Sequence, residues 1–246
     1  MKEEEKVIDY NNHKIPYFLV TPENSNKKGL ILIHEIWGLN DNIRDISRRF
    51  GKEGYTVLAP DLLAELPDEN RITPDILLTM RNPKNREESQ EKMKSILKPI
   101  QSNEFLEISI SKTKECFRYL KNIQNIPDIG IIGFCFGGTY CFALSMFEKD
   151  LKASIPFYGR FPFQYTNNIE DINCKTLAFY GEEDTELITS IPDIKSRMDQ
   201  YGKDFEYIVY PNCGHAFFNE KNLGLYNKEA AQAAWDKTLE FLKENL

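Results

Sequence analysis

IGIIGFCFGG, residues 129–138, joins a mostly apolar run to a glycine-rich turn around one cysteine, Cys135. Glycines two positions before and two positions after Cys135 leave room for a chain that turns abruptly from a strand into a helix. At the start of that helix, the helix dipole and the free N–H groups favour an anion, here a thiolate. The stretch therefore predicts a strand–turn–helix unit that presents Cys135 as a nucleophile. The alternative is a glycine-rich turn that contains a cysteine by chance.

The same order of strand and helix recurs on both sides of this unit. Short apolar runs without polar alternation are typical of strands buried on both faces of a parallel sheet. We predict strands at 30–33, 55–59, 129–133, 153–158, 176–181 and 205–210, after a hairpin in residues 5–20. The first predicted helix begins at Asn40 or Asp41, and the other predicted helices cover 105–123, 137–147, 188–201 and 228–242. This alternation predicts one α/β domain over residues 1–246, with a mostly parallel central sheet and helices on both faces.

Residues 62–104 interrupt this order. The segment is polar and charged, and its two short apolar clusters favour helices. An insertion of this size after a strand often lies over the carboxyl edge of the sheet as a cap or lid. The alternative is an ordinary surface excursion of short helices. We therefore expect a variable, cap-like insertion within the single domain.

Candidate acids and a histidine follow two later strands. Asp184, with Glu182 and Glu183, comes after one predicted strand, and His215 ends the turn after the next. In an open α/β sheet, groups beyond the carboxyl ends of the strands share one edge, so these side chains are expected to meet Cys135. A thiol with a pKa of about 8.5 needs a base, and His215 would take its proton while an acid fixes the tautomer. Glu182 or Glu183 could replace Asp184 as that acid.

HEIWG, residues 34–38, ends the first buried strand of the parallel sheet. A loop at this place supplies one oxyanion-hole N–H, and the residue after the nucleophile supplies the other. These would be the backbone N–H groups of Ile36 and Phe136. A carboxylate at Glu35 would repel developing negative charge, so we expect it to be aimed elsewhere, toward Cys135. A strand-end glutamate in solvent is the alternative.

The chain has three histidines, so His215 has few competitors as the base. His13 falls in the predicted hairpin turn, where a solvated side chain is expected. His34 closes a buried strand, and we expect it to pack or to form a hydrogen bond near the site.

Several blocks of the sequence resemble, in the same order, those of the dienelactone hydrolase family of α/β-hydrolases. They are HEIWGLN, GYTVLAPDL, GFCFGG, YGEED and YPNCGHAF, followed by a closing helix at residues 226–242. The resemblance implies the α/β-hydrolase fold, with Cys135, Asp184 and His215 as a catalytic triad in the chain order of that fold. It also implies that Glu35 holds the resting thiol and helps to deprotonate it once substrate binds.

The resemblance implies hydrolysis of a small carboxylic ester or enol-lactone through an acyl-thioester on Cys135, with no metal or organic cofactor. A general carboxylesterase or a thioesterase would use the same groups. Relatives bind a substrate carboxylate with arginines, one of them a few residues after the catalytic histidine, but residues 216–221 contain none. The other candidates lie in the variable segment: Arg71, Arg81 and Arg86.

Aromatic residues near these motifs predict an apolar acyl or aryl pocket, with ordinary core packing as the alternative. Besides Phe136, the pocket candidates are Trp37, Phe134, Phe217 and Phe218.

Two other classes of protein stay open. A binding protein of the same fold would have no need of nucleophile, acid, base and oxyanion loop together. A redox-sensing thiol protein would need a cysteine that resolves the oxidised Cys135. Cys141 lies almost two helical turns beyond it, which leaves Cys213.

The composition limits the remaining possibilities. In 246 residues, 31 basic and 38 acidic side chains give a net charge of −7, which argues against a general nucleic-acid binder. No apolar run approaches the roughly 20 residues that cross a bilayer, and the opening MKEEEK lacks the apolar core of a secretory signal. Five cysteines without a C-x-x-C pair predict free thiols in a reducing compartment. We expect a cytoplasmic monomer or homodimer that acts on a small molecule and binds neither nucleic acid nor membrane.

Overall fold

The computed structural model describes residues 1–72, 86–222 and 224–246, and one mixed sheet forms its centre. The strands are β1 (Lys2–Tyr10), β2 (His13–Thr21), β3 (Lys28–Ile33), β4 (Thr56–Pro60), β5 (Asp128–Phe134), β6 (Ala153–Phe157), β7 (Lys175–Gly181) and β8 (Phe205–Tyr210). The α-helices are α1 (Asp41–Lys52), α2 (Arg86–Ile100), α3 (Asn103–Arg118), α4 (Phe136–Phe147), α5 (Thr185–Gln200) and α6 (Lys228–Asn245).

The strands are arranged in the order β1-β2-β4-β3-β5-β6-β7-β8. β1 and β2 form an antiparallel hairpin and β2 is antiparallel to β4, whereas the pairs from β4 to β8 are parallel. The steps β3–α1–β4 and β5–α4–β6 run in opposite directions across the sheet. Right-handed crossovers therefore place α1 and α4 on opposite faces, which confirms the predicted α/β architecture.

Apolar side chains buried on both sides explain why the central strands read as unbroken hydrophobic runs. The side chains of Leu30 to Ile33 in β3 are fully buried, as are those of Ile131 and Ile132 in β5. On one face, Phe50 of α1 packs against Trp235 of α6 with ring centroids 4.4 Å apart. The core thus fixes the sheet rigidly under the loops that leave its carboxyl edge.

Local chemistry decides where the helices begin and end, and two helix ends differ from the sequence prediction. Asn40, not Asp41, caps α1, because its side chain accepts the N–H of Ile43. The helix predicted to run to residue 123 is α-helical only to Arg118, and a π-helical turn follows at Tyr119–Ile123. α5 begins three residues earlier than predicted, directly after Asp184.

Glu65 anchors the start of the insertion to the body of the domain. Its carboxylate contacts Lys112 Nζ of α3 at 2.6 Å and His13 Nδ1 of β2 at 2.8 Å. Lys112 is only 3% exposed, so the carboxylate is the partner that lets this ammonium be buried. Arg81 lies outside the described residues. Across the three described ranges, no helix is both long and apolar enough to cross a bilayer.

Candidate active site

Cys135 sits in a strained turn between β5 and α4. Its φ of +55° and ψ of −111° fall in a region that non-glycine residues rarely adopt. A Cβ on Gly133 would lie 2.2 Å from the carbonyl oxygen of Gly137, and one on Gly137 would lie 2.4 Å from that of Ile33. Only glycine fits at both positions. The backbone is therefore built to hold the half-buried Cys135 at the start of α4.

Asp184 and His215 meet at the same edge of the sheet. His215 Nδ1 lies 2.5 Å from Asp184 Oδ2. Asp184 stands between β7 and α5, and His215 lies in the loop after β8. A Cβ on Gly181, the last residue of β7, would lie 2.4 Å from the carbonyl oxygen of Cys213, so that loop is packed tightly against β7. The carboxylate of Glu182 instead accepts the N–H of Asn212, 3.1 Å away.

The charge of His215 is set by its two polar neighbours. Burial lowers the pKa of His215, but hydrogen bonds with Asp184 and with Cys135 outweigh it and raise this pKa to about 10. His215 is thus an imidazolium at neutral pH. A cationic ring between a carboxylate and a thiol is the setting in which a thiolate is stabilised.

The two oxyanion-hole donors predicted from the sequence are the backbone N–H groups of Phe136 and Ile36. Phe136 is the first residue of α4, a position whose N–H has no acceptor within the helix. Ile36 lies in the loop after β3, and it lines the same cavity as Cys135 and Phe136. Within the described part of the chain, neither N–H donates to a protein acceptor.

His34 supports the loop that carries Ile36. Its Nδ1 lies 2.5 Å from the carbonyl oxygen of Glu35, and its Nε2 accepts the N–H of Leu62 at 3.0 Å. Burial lowers the pKa of His34, so the ring is neutral with one donor and one acceptor nitrogen. It also stacks on Phe136 with centroids 5.5 Å apart. His34 therefore stabilises the loop that carries Ile36, whereas His13 contacts Glu65 on another part of the molecule.

Glu35 forms its hydrogen bonds with groups other than Cys135. Its side chain is buried, and the carboxylate accepts hydrogen bonds from Asn219 Nδ2 and from Tyr158 Oη, the latter at 3.5 Å. No hydrogen bond joins it to Cys135 in the described residues, so the expected contact with the resting thiol is replaced by contacts with these two neutral groups. Burial raises the pKa of Glu35 to about 7, against the opposing effects of Asn219, His215 and Tyr158.

A cavity of about 430 Å³ opens beside Cys135 and His215. One wall comes from α2 and the start of α3, and the rest comes from α4, from the segment after β6 and from Ile36 in the loop after β3. The described residues that line it, besides those two, are Ile36, Leu97, Ile100, Gln101, Ser102, Leu106, Phe136, Thr139, Tyr140, Tyr158, Arg160, Phe161, Pro162 and Gln164. The lining is mostly apolar with a few polar groups, as in sites that bind small molecules.

Comparison with known proteins places this arrangement in a family. The model of the dienelactone hydrolase family matches residues 15–246. A Saccharolobus solfataricus protein assigned as a carboxymethylenebutenolidase is 37% identical over 257 residues, with 98% of each chain covered. The chain belongs to the dienelactone hydrolase family. Protein usf of Aquifex pyrophilus is also similar, at 32% identity over 252 residues and 97% of each chain.

Solved structures agree with the fold of this dienelactone hydrolase family member. A Klebsiella pneumoniae structure assigned as a dienelactone hydrolase superposes with a TM-score of 0.78 at 21% identity, over 98% of each chain. The dienelactone hydrolase of Anabaena variabilis gives 0.70 at 15% identity, over 100% of this chain and 98% of that one. The α/β-hydrolase fold predicted from the sequence is thereby confirmed, and family membership makes the protein a hydrolase.

The structure corrects the predicted pocket of this family member. Among the described residues, none of the four candidates other than Phe136 lines the cavity. Phe134 and Phe218 stack in the core with centroids 5.3 Å apart, and Phe217 is fully buried against Tyr210. Trp37 is half-buried away from the cavity. The aromatic residues near the motifs indicate apolar surroundings, but the sequence does not distinguish those that pack in the core from those that line the cavity.

The arginines of the insertion do not supply a described anion site. Arg71 Nε and Nη2 both donate to the carbonyl oxygen of Leu63, and Arg71 is absent from the cavity lining. The side chain of Arg86, like Arg81, lies outside the described residues. The described arginine on the cavity wall is Arg160, which is ion-paired with Glu186 and which the sequence prediction missed. It follows β6 in a segment without a recognisable motif.

Proposed function

We propose that the protein hydrolyses a small carboxylic ester or enol-lactone through an acyl-thioester on Cys135. The observation that carries this proposal is the strained Cys135 beside His215, whose Nδ1 lies 2.5 Å from Asp184 Oδ2. A nucleophile, a base and an orienting acid with two free N–H groups are the parts that acyl transfer requires. The carboxymethylenebutenolidase name of the Saccharolobus solfataricus relative supports the substrate class.

Acylation follows from the charges of the site. The Cys135 thiolate attacks the carbonyl carbon, and the carbonyl electron pair moves onto oxygen, where the N–H groups of Ile36 and Phe136 bind it. When the tetrahedral intermediate collapses, the carbon–oxygen bond to the leaving group breaks. The His215 imidazolium gives its proton to the departing alkoxide or enolate, and Cys135 remains as a thioester.

Deacylation reverses these roles. Neutral His215 takes a proton from a water molecule that attacks the thioester carbonyl, and Asp184 holds the ring that becomes positive again. The same two N–H groups bind the second oxyanion. The carbon–sulfur bond then breaks, which releases the carboxylic acid and restores the thiolate–imidazolium pair.

The other four cysteines are poor nucleophiles by comparison. They are free but buried, and burial raises the pKa of each thiol: Cys116, Cys141, Cys174 and Cys213. This pattern supports Cys135 as the reacting thiol over a redox pair with Cys213. Free thiols also support the proposed cytoplasmic location.

We propose that the described end of the 62–104 insertion forms a cap over the substrate site, whereas residues 73–85 lie outside the described residues. Leu97 and Ile100 of α2, with Gln101 and Ser102, supply part of the cavity wall next to the catalytic groups. The cap would therefore set the size and polarity of the group that the site accepts. The assembly state, monomer or homodimer, does not enter this assignment.

The proposal is tested by turnover of a substrate panel with wild type and Cys135→Ala. The panel holds short and medium p-nitrophenyl esters, an acyl thioester and a dienelactone. We expect wild-type turnover of an ester or lactone that is lost, by at least about a thousandfold, in Cys135→Ala. A strong preference for the thioester would identify a thioesterase instead. Undiminished turnover in Cys135→Ala, or no turnover of the whole panel by wild type, would overturn the proposal.

A further inference from the structure

Glu35 is a buried carboxyl group that forms no ion pair with a cation among the described residues. It is 3% exposed, and its two oxygens meet the amide of Asn219 and the hydroxyl of Tyr158. His215 is the positive group that faces it, through space. Because a buried carboxyl group depends on the hydrogen bonds that it receives, Asn219 decides how the Glu35 side chain is held.

The orientation of the Asn219 side chain is fixed by two hydrogen bonds. Oδ1 accepts the backbone N–H of Lys221 at 3.0 Å, which leaves Nδ2 to donate to Glu35. Asn219 is itself 5% exposed, so water does not compete freely for either bond. The Asn219 amide is therefore held in one orientation by its two hydrogen bonds, unlike a solvated side chain of a loop.

Asn219 is coupled to His215 through one tight turn. Its backbone N–H donates to the carbonyl oxygen of Ala216 at 3.0 Å, and Ala216 has a positive φ of 62° directly after His215. On the other side of this loop, Arg49 pairs with Glu220. A displacement of Asn219 would thus move the His215 imidazole, because a single turn of the backbone connects the two residues.

The backbone of Glu35 belongs to the oxyanion loop. Its carbonyl oxygen accepts the N–H of Gly38 at 3.2 Å and contacts His34 Nδ1 at 2.5 Å, and the next residue is Ile36. The hydrogen bond between Glu35 and Asn219 therefore joins two catalytic loops whose residues lie 184 positions apart in sequence.

We propose that Asn219 is a positioning residue that, through Glu35, holds the His215 loop at a fixed distance from the oxyanion loop. This inference rests on the proposed function, because it assigns a role in that same site. We call the hydrogen bond between Asn219 and Glu35 the link. Two titratable groups, His215 and Tyr158, face Glu35. A third, Cys135, interacts electrostatically with His215 and with Tyr158. The Asn219 amide carries no charge and does not titrate. Its replacement by Asp therefore adds a titratable carboxyl group to the link.

Two substitutions separate positioning from simple loop packing. Asn219→Leu keeps the volume and removes the donor, so kcat should fall about ten- to a hundredfold with KM changed less than about threefold at every pH. Asn219→Asp places two carboxyl groups side by side, which share a proton at acidic pH and repel each other when both are ionised. We expect its kcat to approach that of wild type at acidic pH and to fall at least about tenfold below it at alkaline pH. Asn222→Leu is the control in the same loop and should behave as wild type.

A double-mutant cycle tests whether Asn219 acts through Glu35. In a Glu35→Leu background, adding Asn219→Leu should change kcat by less than about twofold, because the link is already broken. If the effects of the two substitutions on kcat multiply, the proposal is overturned. A dependence of kcat on pH in Asn219→Asp that runs parallel to that of wild type would also overturn it.

The rate of Cys135 alkylation against pH is measured on the same variants, because it needs no substrate. If wild type hydrolyses nothing in the panel, the proposed function fails alone, and this profile still decides about the link. If the link holds the two loops, Cys135 of Asn219→Asp should be alkylated at the wild-type rate at acidic pH. The alkylation rate of the variant should differ increasingly from that of wild type as the pH rises. A profile that matches wild type throughout overturns the link.

Discussion

At the scale of single residues, the site works because of where a few protons are held. Asp184 and Cys135 both raise the pKa of His215 against the effect of burial, so the ring stays positive at neutral pH. Glu35 is held by neutral groups, and its pKa is raised to about 7 by burial. The pKa of each group is therefore raised above its usual value, that of His215 by charged and hydrogen-bonded partners and that of Glu35 by burial. Perturbed pKa values of this kind are common at catalytic sites.

Removing the proposed acid Asp184 should slow the reaction of Cys135 with an alkylating agent. Asp184→Asn removes the hydrogen-bonded anion that raises the pKa of His215, so the imidazolium is lost at a lower pH. Wild-type alkylation by iodoacetamide should be fast and nearly level around pH 7. In Asp184→Asn it should be about tenfold slower there and rise only at alkaline pH.

The control for this prediction is Asp193→Asn on the same helix, because Asp193 pairs with Arg197 and not with His215. It should leave the alkylation profile unchanged. An Asp184→Asn profile that superposes on that of wild type would contradict the role given to Asp184.

The sequence predicts the proposed triad more readily than the contacts around it. Cys135, Asp184 and His215 could be predicted because each follows a strand end, where topology alone brings side chains to one edge. The partner of Glu35 could not be predicted in that way. Asn219 lies 184 positions from Glu35, in a loop with no periodic pattern, so only the folded chain shows their contact.

At the scale of elements, close backbone contacts around the turn from β5 to α4 fix the nucleophile. Gly133 lets the end of β5 pack against the backbone of Gly137, and Gly137 lets the turn pack against the backbone at the end of β3. These glycines could be predicted from their spacing around Cys135. The end of α3 could not, because the switch to a π-helical turn at Tyr119–Ile123 depends on tertiary packing and not on the helical spacing of apolar residues.

A methyl group at Gly137 should disturb both the fold and the oxyanion loop. In Gly137→Ala the new Cβ would lie 2.4 Å from the carbonyl oxygen of Ile33 and 2.8 Å from that of His34. We expect the free energy of unfolding to fall by roughly 1–3 kcal/mol, measured by urea denaturation. Gly224→Ala, where the nearest atom is 4.0 Å away, is the control. Equal stability of the two variants would contradict the close-packing argument.

At the scale of the whole molecule, one edge of the sheet collects residues from five segments of the chain. The loops after β3, β5, β6, β7 and β8 bring Ile36, Cys135, Tyr158, Asp184 and His215 together. The insertion then adds Leu97 and Ile100 as part of the cavity wall. The mostly parallel sheet with helices on both faces could be predicted from the alternation of elements, whereas the lining of the cavity depends on how the insertion packs.

Shortening a cap residue should change chain-length preference without changing the chemistry. Leu97→Ala removes an apolar contact from the cavity wall, so KM for a medium-chain p-nitrophenyl ester should rise roughly three- to tenfold. KM for the acetate ester should change by less than about twofold. Lys94→Ala, on the exposed side of the same helix, is the control. Equal changes for long and short esters would contradict a role of α2 in substrate selection.

The measurement that bears most directly on the proposed chemistry is the mass of the acylated enzyme. His215→Ala, mixed with p-nitrophenyl butyrate at alkaline pH, can form the thioester but lacks the base that hydrolyses it. We predict one butyryl group per chain after acid quenching, on the proteolytic peptide that contains Cys135, and none in the His215→Ala, Cys135→Ala double variant. A butyryl group on any other residue, or hydrolysis of the ester by Cys135→Ala at the wild-type rate, would contradict the account.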